Sequence, residues 1–168
     1  MKKQLLDFDC DYDFMLFAVS SVEPDYKFCL ELNKVLHLHL EKEFPLTLSH
    51  ENYEDDFLFS FYSFFNEDLH LNYQLIANKS YNLVQEKKQK LKTNQPGLFD
   101  EDSGLHNGKI NFFIPELSAY DYLFLIRSTY QPSIAKNTET LINSIATVLK
   151  VDFFEVSDLE SRDNLIWE

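Results

Sequence analysis

"INFFIPELSAYDYLFLIRS", residues 110–128, decides how this chain folds. Pro115 has no backbone N–H to give a ladder, and it biases Ile114 toward an extended shape, so one strand ends at Phe113–Ile114. A second strand begins at Tyr120. Its Tyr122, Phe124 and Ile126 alternate with Leu123 and Leu125, so both faces are apolar, the pattern of a central strand. Glu116 and Asp121 then stand at the lip of the sheet, with Tyr120 and Tyr122 beside them. Carboxylates at such a corner accept bonds from N–H groups that a broken ladder leaves free. The same four residues also outline a small polar binding site.

Working outward, "FLFSFYSFFNEDLHLNYQLIANK" (57–79) reads as a hairpin. Phe57, Phe59 and Phe61 share one face, opposite Leu58, Ser60 and Tyr62, and Asn66-Glu67-Asp68 makes the turn. The return strand puts Leu71, Tyr73, Leu75 and Ala77 on one side. His70, Asn72, Gln74 and Asn78 lie on the other, which is expected to be wet. Near the start, "DYDFMLFAVSSV" (11–22) has the length of a buried strand, and Pro24 opens a helix at its first position. Phe28, Cys29, Leu32, Val35 and Leu36 form one apolar stripe on that helix. A second stripe, Ile134, Leu141, Ile142, Ile145, Val148 and Leu149, predicts a helix over about 133–150, followed by a closing strand at 151–156.

The order strand–helix–strand–strand–loop–strand–helix–strand predicts one α+β domain over 1–168. It has a mainly antiparallel sheet of about five strands with two helices on one face, a split βαβ or ACT-like layout. That layout carries no function by itself. Residues 80–109 break the style of the chain. They hold all three glycines, the lysine cluster Lys87, Lys88, Lys90 and Lys92, and the acidic patch Asp100-Glu101-Asp102. They read as a helical turn or two at 83–92 and then a flexible insertion.

Composition narrows the function classes. Sixteen Phe and nine Tyr against three Gly and five Pro suit a dense aromatic core. A formal charge of −13 repels a phosphate backbone, so no nucleic-acid partner is expected. No apolar run approaches the ~20 residues of a membrane span. The cysteines, Cys10 and Cys29, have no framework spacing, and a reducing cytoplasm is the expected setting.

"IPELSAYDYLFLI" resembles the IPExxxVDY family, small proteins of Bacteroidetes-type bacteria named after this stretch. Ile114-Pro115-Glu116 and Asp121-Tyr122 match as they stand, while Tyr120 replaces the family's Val. "LELNK" (30–34), "LIANKS" (75–80) and the apolar strand after the motif extend the resemblance over most of the chain outside 80–109. It implies no activity, because the family name describes a pattern.

Elsewhere the chemistry is sparse. Asp7, Asp9, Asp11 and Asp13 alternate, but the Gly and Glu that a calcium loop needs at its sixth and twelfth positions are missing. His37 and His39 share a strand face and lack a placed third ligand for zinc. No phosphate loop, dinucleotide fingerprint or nucleophile elbow is present. Neither a metal nor a cofactor is expected. The leading expectation is a non-catalytic cytoplasmic module, an acidic adaptor or regulator, working through contact with a protein partner or a second copy. Its contact face would be Leu58, Tyr62 and Phe64, left exposed where helices cover only one side of the sheet. An ACT-like sensor of a small ligand, with Glu116, Asp121 and Tyr122 lining its pocket, is the alternative. A hydrolase or transferase using Glu116 and Asp121 as an acid pair is the remote one.

Overall fold

The computed structural model describes residues 13–84, 108–128 and 131–167. It shows an α+β fold with a mainly antiparallel sheet and two helices. The strands and helices run in the order β1 (Phe14–Ser21), α1 (Asp25–Leu36), β2 (Glu41–Lys42), β3 (Leu46–Leu48), β4 (Phe57–Phe59), β5 (Phe61–Asn66), β6 (Leu71–Ala77), β7 (Tyr122–Arg127), α2 (Pro132–Asn143) and β8 (Val148–Phe154). Six strands form one sheet in the order β2-β5-β6-β7-β1-β8, and β3 with β4 make a separate two-stranded ribbon. Every neighbouring pair in the large sheet is antiparallel. Two positions apart, β7 and β8 therefore run parallel with β1 between them, and α2 joins them. This is the split βαβ unit that the element order predicts.

β7 is central, paired to β6 on one side and β1 on the other. Its two faces enter two different cores, as the alternation of Tyr122–Ile126 requires. Tyr122, Phe124 and Ile126 join Phe17, Phe28, Leu32, Leu75 and Ile142 beneath α1 and α2. Leu123 and Leu125 join Leu16, Phe57, Phe59, Ile76, Phe113, Leu117 and Leu165 on the reverse face. Both helices thus lie on one face. The reverse face is covered too, by the ribbon, by the segment around Ile114–Leu117 and by the C-terminal turns at 156–165. Sequence periodicity leaves that face uncovered because its cover comes from irregular segments distant in the chain.

Several local expectations are corrected. The expected wet face of the return strand holds Gln74 and Asn78, and both are buried. The contact face of Leu58, Tyr62 and Phe64 does not form. Ser60 interrupts the strand, so Leu58 falls in the ribbon and Tyr62 in the large sheet. Tyr62 is buried under α1, and Phe64 packs half-buried between Tyr73 and His39. α2 stops at Asn143, not near 150, and Val148 and Leu149 belong to β8. The apolar stripe runs on across this boundary only because Val148 and Leu149 happen to continue the helical spacing. β8 also carries a register shift: Ser20 pairs Lys150 and Ser21 pairs Val148, which leaves Leu149 as an extra, bulged residue.

At the base of the insertion Lys79 bridges Phe112, and at its described ends Val84 bridges Lys109, so the two ends are stitched together. The lysines 87–92 and the acidic patch 100–102 lie outside the described residues, as do Asp7, Asp9 and Asp11. Among the described residues no helix is long and apolar enough to cross a membrane.

Candidate functional site

The Pro-Glu corner is organised by a residue that sequence reading assigns to solvent. Asn78, wholly buried, uses every polar group it has. Its side-chain amide donates to the carbonyls of Leu117 (2.8 Å) and Tyr120 (3.1 Å), and its Oδ1 accepts from the Ile114 N–H (2.9 Å). Its backbone N–H donates to Asp121 O, and its carbonyl accepts from the Phe113 N–H, both at 2.8 Å. Pro115 starts a short 3-10 turn, Pro115–Leu117, that cannot join a ladder, and Asn78 supplies the missing partners. The available signal was an Asn at the end of an apolar strand, facing a chain that proline forces out of the sheet.

The four expected site residues are divided by this corner. Tyr120 points into the reverse-face core. Its hydroxyl donates to Asp152 (2.5 Å) and accepts from Lys150 (2.8 Å). Burial and the Asp152 bond push its phenol up, against the pull of Lys150. Glu116, largely exposed, accepts from the backbone N–H of Ser161 at 2.6 Å. The slight burial of its carboxyl is outweighed by backbone donors around 116 and 160–161, which hold it below the usual carboxylate range. Asp121 and Tyr122 turn toward the helix side. Asp121 accepts from Ser20 Oγ (3.0 Å) and the Ser21 N–H (3.1 Å), and Lys79 Nζ stands 3.5 Å away. Tyr122 stacks on Phe28 with ring centroids 4.7 Å apart and donates to the Glu23 carbonyl at 2.6 Å. Burial raises its phenol strongly, helped by the negative charge of Asp25, Asp121 and Glu23.

Asp121 and Tyr122 line a cleft of about 430 Å³ at this end of the sheet, together with Asp25, Lys42, Glu43, Pro45, Ser60, Ala77, Lys79 and Tyr81. Glu116 does not reach it, so the expected acid pair is not assembled: one carboxylate is tied to the C-terminal turn and the other to β1. Asp25, missed as a site residue from sequence, is with Glu43 one of two further acids of the cleft. Sitting in the first turn of α1, it accepts from Tyr62 Oη (3.0 Å) and pairs with Lys42 at 3.8 Å. Burial would raise its carboxyl, but Ser60, Tyr62, the Tyr26 N–H and Lys42 together pull it below its ordinary value. Tyr62 is correspondingly raised, by burial first and then by the Asp25 carboxylate. Two ion pairs, Asp25–Lys42 and Asp121–Lys79, thus line one cleft. Both are long contacts made by lysines that stay at least half exposed.

A pH dependence follows from Asp25. Its folded value lies below the unfolded value near ~3.9, so the ionised carboxylate stabilises the fold above about pH 4. That contribution is lost as pH falls through the folded value. Asp25→Asn is expected to flatten the acid limb of a stability–pH curve measured by urea unfolding, while lowering stability at neutral pH.

The remaining candidates behave structurally. Cys29 is buried, its thiol raised to about 11 by burial and by Asp25, as suits an inert core residue. His37 is the left-handed cap of α1 (φ 54°), and among the described residues no His, Cys, Asp or Glu cluster has metal-binding geometry. Trp167 docks the C-terminal segment: its ring lies against Phe61 and Phe113 and 4.7 Å from the Arg127 guanidinium. No family model, curated protein or solved structure matches the chain.

Proposed function

We propose that this protein is a non-catalytic binding module whose cleft takes a small zwitterion, a molecule of amino-acid or dipeptide size carrying an ammonium and a carboxylate. The observation that carries the proposal is the presence of two loose ion pairs in the lining of one cleft. Each lysine sits on a flexible stem and can turn to a ligand carboxylate while its aspartate receives the ligand ammonium. The net charge of the cleft is unchanged by that exchange, so the ligand's own charges are not left unpaired. Ala77, Pro45 and the rings of Tyr81 and Tyr122 supply apolar walls, and the volume falls in the range of small-molecule sites.

Binding fits this chemistry better than catalysis. Asp25 is held ionised, which disqualifies it as an acid at neutral pH, and Asp121 is already engaged by Ser20, Ser21 and Lys79. Membership of the IPExxxVDY family and a cytoplasmic setting belong to the same proposal. The family rests on Ile114-Pro115-Glu116 and Asp121-Tyr122, the setting on composition.

The test is a thermal-shift screen of amino acids and dipeptides, repeated with Asp25→Asn and Lys79→Met. A ligand at a hundred times its Kd stabilises by about 2.7 kcal/mol. At least one zwitterion is expected to raise the melting temperature of the wild type, and both variants are expected to lose most of that shift. A wild type that responds to no member at millimolar concentration contradicts the proposal.

A further inference from the structure

β8 ends the large sheet, and among the described residues no strand lies beyond it. Leu149 stands on it 69% exposed. An edge strand pairs readily with another strand, and register decides whether a given partner fits. The sequence of β8, Val148-Leu149-Lys150-Val151-Asp152-Phe153-Phe154, reads as its own complement about Val151. In an antiparallel pair with a two-fold axis at Val151, Lys150 meets Asp152 twice, Leu149 meets Phe153 and Val148 meets Phe154. A shift of the axis by one residue sets Lys150 against Lys150 or Asp152 against Asp152. Like charges directly opposite each other disfavour both shifted registers.

We propose that the partner of this edge is a second copy of the chain, and that two copies join β8 to β8 antiparallel about Val151. The two sheets then continue as one of twelve strands. Lys150 already pairs with Asp152 of its own strand at 2.7 Å, and Tyr120 donates to the same oxygen, Oδ2. The other oxygen of Asp152 is placed to accept from Lys150 of the second copy, closing a ring of alternating charges across the axis. The bulge at Leu149 bends the strand and, because each residue beyond it would have to meet its mate across the two-fold axis, confines regular pairing to Leu149–Phe153 of each copy. The contact is therefore small, of the class that associates reversibly.

Sedimentation from micromolar to millimolar concentration tests it. The wild type is expected to move from the 19.9 kDa of one chain toward twice that mass. Lys150→Glu makes the strand doubly acidic and Asp152→Lys makes it doubly basic, so each alone is expected to stay monomeric. Mixed in equal amounts they are expected to dimerise, because each supplies the charge the other lacks. Pairing restored in trans separates contact between copies from repair of the ion pair within one strand. A wild type that stays monomeric overturns the proposal, as do single variants that dimerise like it. Should either variant fail to fold, hydrogen exchange of the wild type decides: amides of 149–153 gain protection with concentration, and no gain refutes the pairing.

Discussion

Asn78→Ala is expected to lower the unfolding free energy by about 3–5 kcal/mol, more than most single substitutions do. The volume removed is small, so the loss comes from hydrogen bonding. Truncation strands the Ile114 N–H and the Tyr120 carbonyl and takes from the Leu117 carbonyl one of its two donors, the Tyr120 N–H being the other, all among buried residues. Each buried group left unsatisfied costs about 1–3 kcal/mol, partly recovered where the corner relaxes. Asn78→Asp keeps the shape and should be worse at neutral pH, because it sets a carboxylate against two carbonyl oxygens. Burial would raise the folded pKa of that aspartate above its unfolded value. The deficit should then shrink as pH falls and grow as pH rises through the folded pKa. Urea unfolding of both variants at pH 7 and pH 4 checks the magnitude and the sign. A loss under about 1 kcal/mol for Asn78→Ala would mean that the corner finds other partners.

Leu125→Ala is the second large effect, about 2–5 kcal/mol, against about 3–5 kcal/mol for Phe124→Ala on the opposite face of the same strand. Both side chains are wholly buried. Phe124 lies between Phe17 and Tyr73 under the helices, while Leu125 lies beneath the ribbon and the C-terminal turns. A sheet covered on one side only would show a large effect at Phe124 and a small one at Leu125. Comparable losses at the two positions establish that β7 has two cores. Deleting the C-terminal turns from Val156 onward should by the same logic damage the Leu125 side first.

Glu116→Ala offers a contrast. Glu116 is the most conspicuous residue of the opening stretch, yet the groups that donate to it belong to its own turn and to the exposed turn at 160–161. Its removal is expected to change stability by no more than about 1 kcal/mol and to leave the cleft intact.

How far the sequence is legible differs from element to element. Parity is legible wherever both faces of a strand are apolar or one pattern is sustained. The central place of β7, the shared face of Phe57, Phe59 and Phe61, and the stripe of α1 all emerge as read. The end of α2 does not, because Ser144 to Thr147 hold neither Gly nor Pro to mark the stop, and Val148 and Leu149 fall on the helical stripe by coincidence of spacing. The covered reverse face is illegible for a different reason. Its lid consists of irregular turns, and nothing periodic in 113–120 or 156–165 announces which face they meet. The candidate site was half legible. Asp121 and Tyr122 sit at the sheet end where a forced turn places them. Asp25 and Lys42 arrive there from α1 and the far edge strand, through contacts that no local pattern encodes.

The most direct test of the division between a structural corner and a functional cleft is residue-resolved hydrogen exchange of the wild type and Asn78→Ala. The amides of Phe113 and Ile114, which donate to Asn78, are predicted to exchange in the wild type as slowly as those of β7, only through global unfolding, and far faster in the variant. Rapid exchange of these two amides in the wild type, with β7 still protected, would show a corner that opens by itself and would contradict its structural assignment.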